Sequence, residues 1–198
     1  MSNILKQIGE LYKTDKGYQK WLIIATALFG IAFLSGLFAP ASLVNLLSAE
    51  ITALEELAGF LEPLPQPIIF AVIFITNVST LLTSFVFSPI LCLWPIVVLT
   101  LNGWLIAFVA AIIVQEKSLG FVIAGLLPHG IFELPALIIG EAAALSFGTA
   151  VMLALFKKER RSLLLPNLKR NSIYLLIAFT LLLPAAIIET FVTPLLLT

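Results

Sequence analysis

Residues 125–148 read GLLPHGIFELPALIIGEAAALSFG. Apolar sequence flanks this stretch on both sides. Yet it holds the chain's only histidine, His129, two carboxylates, Glu133 and Glu141, and two prolines, Pro128 and Pro135. An ionisable side chain at membrane depth costs about 2.5–3.5 kcal/mol on insertion scales, so such groups usually face a bundle interior and mark a site. Proline removes a backbone donor and frees a carbonyl, which at that depth must find another partner. Polar groups and backbone interruptions coincide here, and that coincidence predicts the functional centre.

Composition sets the class around it. Of 198 residues, 61% are hydrophobic and only 11% charged, and mean hydropathy is +1.12. A soluble domain carries about 25% charged residues, so too little polar surface is present to face water. No charge falls between Trp21 and Ala49, nor between Pro63 and Gln115. A helical span needs about 20 apolar residues, so the second run holds two spans and a tight turn. The first apolar run follows twenty mostly polar residues and lacks a clear small-residue cleavage site, so it reads as an uncleaved span. The expected fold is an all-α polytopic membrane protein with spans at 21–39, 67–88, 93–115, 131–156 and 172–196. A re-entrant or broken half helix is expected at 118–130, with the break at Pro128, Gly130 and Pro135. Interfacial amphipathic helices are expected at 1–20 and 41–62. Within the latter, Glu50 alone projects onto the apolar face and is read as snorkelling outward.

Charge placement predicts orientation. The N-terminal segment carries four lysines and the 157–170 loop six basic residues, whereas the 40–66 loop has no lysine or arginine and four glutamates. The N-terminus and the basic loop are therefore expected in the cytoplasm, and the C-terminus outside. A chain of zero net charge built this way has the lipid bilayer as its first partner, and no nucleic-acid partner is expected. Ala136, Gly140, Ala144 and Gly148 recur at intervals of four and favour close helix packing, which places this helix at the centre of the bundle or at a dimer seam, and a homodimer is expected.

Rise per residue places the buried acids. Glu141 lies roughly 22 Å from the inner end of its helix and Glu189 roughly 24 Å along the last span from Ile173, so the two are expected at similar depth. His129 and Glu133 lie nearer the outer edge. The four, with Asn77 and Asn102 as polar neighbours, are expected to share a cavity open to the outer side. Three readings follow. Protonated glutamates bond the carbonyls freed at Pro128, Pro135 and Pro184; or the groups form a proton or cation pathway; or His129 and Glu133 hold a metal. The single cysteine, Cys92, excludes an internal disulfide and any multi-cysteine metal site. A lone histidine without an H-E-x-x-H pattern excludes two-histidine metalloprotease sites. No Gly-rich phosphate loop and no serine–histidine pairing stand out. No enzymatic activity and no cofactor are therefore expected.

The stretch PHGIFELPALIIGEAAALSFG resembles the signature of the stage II sporulation protein M (SpoIIM) family. The ending AAIIETFVTP resembles that family's last-helix motif, and Asn77 and Asn102-Gly103 fall at its expected asparagine positions. The resemblance implies matching positions at His129, Gly130, Glu133, Pro135, Glu141, Glu189, Thr193 and Pro194. It also implies a five-span scaffold or accessory protein that works with other membrane or cell-envelope proteins and performs no hydrolysis itself. The alternative, drawn from the residues alone, is a small proton- or cation-conducting channel or transporter.

Overall fold

Backbone in hydrocarbon has no water to bond, so a long apolar run satisfies its N–H and C=O groups internally as helix. The computed structural model describes residues 16–39 and 63–197, with Thr52 and Gly59 between them. Among the described residues, five helices are long and apolar enough to cross a membrane. They are α1 (Lys16–Leu37), α2 (Gln66–Phe87), α3 (Leu93–Glu116), α4 (Leu119–Phe156) and α5 (Leu164–Ile187). A 3-10 segment, Lys158–Leu163, joins α4 to α5. A π turn, Ile188–Val192, and a short α6, Thr193–Leu196, continue α5 without a loop. The all-α polytopic fold is therefore as expected. Most of the 1–20 and 41–62 segments, Glu50 included, lies outside the described residues; residues 16–20 form the start of α1.

The largest departure concerns α4. The expected half helix at 118–130 and the break at Pro128, Gly130 and Pro135 are not found: all three residues lie inside one helix of 38 residues. A proline ring costs one backbone hydrogen bond and crowds one carbonyl, but packed neighbours and side chains can re-satisfy a freed group in a membrane helix. Ser118 starts the helix, its side chain accepting from the Phe121 N–H at 3.1 Å, as an N-cap should. Gly130 has open space where a Cβ would stand, so no close approach requires glycine there. At 1.5 Å per residue α4 reaches about 57 Å, almost twice the roughly 30 Å hydrocarbon core. It is therefore steeply inclined or extends past the hydrocarbon.

α4 is also the hub. α1, α2, α3 and α5 all pack against it, and every residue from Gly140 to Ser146 is buried. A helix buried on all sides is one that other helices surround. Between helices in lipid the hydrophobic effect gives no drive, so close van der Waals packing must hold them. Small residues provide it. Ala136 and Ala144 are fully buried, Gly140 seats the end of Leu81 of α2, and Gly148 lies against the Ser88 carbonyl. Ser88 belongs to the turn joining α2 to α3, where Leu91 and Cys92 take positive φ. The stripe thus packs inside the chain and puts α4 at the centre of the bundle. A second glycine seam joins α1 to α3, with Gly36 against the Trp104 carbonyl and Gly103 against that of Phe29.

Candidate functional site

The N-terminal half of α4 carries His129 and Glu133 one turn apart on one face, as i and i+4 must be. Nε2 of His129 lies 3.7 Å from Oε2 of Glu133. On its other side the buried imidazole meets α6, with Nδ1 3.5 Å from Oγ1 of Thr193. The third member arrives from the π turn. There the Thr193 N–H reaches back five residues to the Ile188 carbonyl, which widens the turn and re-aims the side chains it contains. π turns inside helices are frequent at functional sites. Glu189 sits in this one, and His129, Glu133 and Glu189 each offer a ligand atom within 4.8 Å of the others.

Asn77 of α2 stands beside the Glu133 carboxyl. Asn102 turns its amide back to the Val98 carbonyl of its own helix at 2.8 Å. Both asparagines, with Thr76, Thr80 and Glu133, line a cavity of about 200 Å³. A second cavity of about 390 Å³, mostly apolar-walled by α3 and the start of α4, ends at His129, Glu189 and Thr193. Ile106 lines both. The cluster therefore stands where two cavities approach each other, and neither is lined by a lysine or arginine.

Glu141 is not part of this group. It is 0% exposed and lies eight residues, about 12 Å, along α4 from Glu133. There it accepts a hydrogen bond from the Ser84 hydroxyl of α2, while its other oxygen, Oε1, has no partner. The expectation that Glu141 and Glu189 share a depth fails because α5 begins at Leu164. Residues 164–171, taken as loop, are helix, and they carry Glu189 about 12 Å further from the hairpin turn. Pro166 signals a loop in sequence but occupies the first turn of α5, where no intrahelical N–H bond is lost.

Ser84 was missed by residue reading, although Asn77, Ser84 and Ser88 recur at intervals of seven and four along one helical face. Thr193 entered only through the family resemblance, and here it contacts His129 directly.

An uncharacterised protein of Methanocaldococcus jannaschii is 32% identical over 97 residues, which is 48% of this chain and 54% of that protein. The chain thus spans about half the length of the curated relative it matches. No solved structure matches. The family model described as Stage II sporulation protein M matches residues 24–194, which include α2 to α5, the π turn and all three clustered groups. The chain belongs to the SpoIIM family of membrane proteins.

Proposed function

We propose that this chain is a small multi-pass membrane protein that admits protons or other cations to an intramembrane centre formed by His129, Glu133 and Glu189, and has no catalytic activity of its own. The observation that carries this reading is the convergence of the three groups, from α4 and the π turn, within 4.8 Å between two cavities. Ionisable groups gathered at membrane depth mark ion pathways and proton relays. Two carboxyl groups beside one imidazole, in cavities lined by no lysine or arginine, favour a positive occupant by simple electrostatics. Lysine and arginine placement supports a cell-membrane protein with its N-terminus cytoplasmic and its C-terminus outside. In that orientation the cluster stands toward the outer side.

A multi-pass scaffold working with other membrane or cell-envelope proteins, or with a second copy, is the other reading. It is favoured by the way the same groups tie α2, α4 and α6 together through Asn77 and Thr193. Reconstituted liposomes separate the two. Vesicles holding the purified protein are predicted to pass protons or an added cation faster than protein-free vesicles, and Glu133→Gln and Glu189→Gln to abolish the difference. Wild-type flux equal to that of protein-free vesicles would overturn the transport reading and leave the scaffold.

A further inference from the structure

Donor spacing says more about the occupant. The 3.7 Å between Nε2 of His129 and Oε2 of Glu133 is beyond hydrogen-bond length. It is close to the spacing of two donors on one ion: tetrahedral bonds of about 2.0–2.2 Å place neighbouring ligands roughly 3.3–3.6 Å apart. A carboxylate oxygen of Glu189 completes a group no more than 4.8 Å across.

We infer that His129, Glu133 and Glu189 bind a single divalent transition-metal ion of the zinc class, through Nε2 of His129 and one oxygen of each glutamate. This rests on the reading of the centre as a cation site and adds the chemistry of the cation. An imidazole beside two carboxylates suits first-row transition metals, whereas magnesium and calcium take all-oxygen sets. The surroundings match what ligating groups need. Histidine ligands normally engage their second ring nitrogen in a contact that fixes the ring, and ligating carboxylates are themselves hydrogen-bonded. Thr193 stands at Nδ1 of His129, and the Asn77 amide stands beside the Glu133 carboxyl. His129 is itself 9% exposed, so its ring is held by the bundle rather than swinging in solvent. Three protein ligands leave a fourth position for water or an exchanging donor, the arrangement of open zinc sites. Glu141, with a fully buried carboxyl on Ser84, takes no part.

The test is metal binding to purified, tag-free protein in detergent, kept separate from any flux measurement. Zinc is titrated and protein-bound metal measured by elemental analysis, with magnesium as competitor; cobalt then serves as an optical probe of the site. Wild-type protein is predicted to hold one zinc per chain that excess magnesium does not displace. Cobalt is predicted to give the intense visible bands of a four-coordinate ion. His129→Ala and Glu133→Gln are predicted to weaken zinc binding at least about tenfold, whereas Glu141→Gln retains wild-type binding. Should His129→Ala fail to fold, His129→Gln, which keeps a polar side chain, replaces it. Absence of stoichiometric zinc on the wild type, or equal binding by the His129 and Glu133 variants, overturns the inference. Proton flux without zinc binding would sink the metal and leave the transport reading. Zinc binding without flux would sink transport and leave the metal.

Discussion

Glu141 shows how far a single side chain can be read from sequence. A carboxyl in an apolar run announces itself, and its burial was legible. Its partner was not, because a serine is unremarkable in a membrane helix and its meaning depends on which helix stands opposite. Ser84 supplies the hydroxyl that the Glu141 carboxyl accepts, in a site that is 0% exposed. Removing one member of a buried hydrogen-bonded pair leaves the other unsatisfied, which costs about 1–3 kcal/mol. Ser84→Ala is therefore predicted to destabilise the protein by that amount in a denaturant titration in micelles. Glu141→Gln keeps a carbonyl acceptor and nearly the same volume, and is predicted to cost less than Ser84→Ala. The reverse ranking would mean that Ser84 does not hold Glu141. The i, i+4 spacing of His129 and Glu133 makes them a pair only on a continuous helix, and the break expected at Gly130 between them left that open until α4 was seen to run through it. Glu189 was legible as a buried acid, but its meeting with them depends on a π turn that no local pattern in IETFV signals.

Among the helices, α4 and α5 were misjudged for one shared reason. Proline was taken as a boundary at Pro128, Pro135 and Pro166, and at none of them does the helix stop. In water a proline-interrupted helix has the solvent as an alternative partner. In hydrocarbon it has none, so the chain stays helical and neighbours absorb the defect. The small-residue stripe was legible as a packing seam, and of the two places it allowed, the bundle centre and a dimer seam, the structure shows the first, because spacing defines a face and not what covers it. Its glycines differ in what they face. A Cβ on residue 148 would meet the backbone carbonyl of Ser88, and on residue 140 the flexible end of Leu81. Gly148→Ala is therefore predicted to cost about 1–3 kcal/mol, while Gly140→Ala costs less because Leu81 can change rotamer. Thermal unfolding in detergent checks the order. Equal or inverted losses would place the turn at Ser88 farther from α4 than described.

For the molecule as a whole, four apolar helices pack around a fifth, the hub α4, and the three clustered groups stand where α4 passes α2 and the π turn. Charge-free runs and their flanking lysines made the number of crossings legible. The sequence could not show which acids meet, since that requires the antiparallel register of α4 and α5 set by where α5 begins. Everything proposed for this centre, whether flux or metal, requires Glu133 and Glu189 to act on each other although 56 positions separate them in the chain. A double-mutant cycle on unfolding stability in metal-free micelles measures that directly. Groups in contact couple by at least about 0.5 kcal/mol, and groups more than about 7–10 Å apart add. Glu133→Gln and Glu189→Gln are predicted to be non-additive by at least about 0.5 kcal/mol, and Glu141→Gln and Glu189→Gln to be additive. Additivity of the first pair would contradict a shared centre.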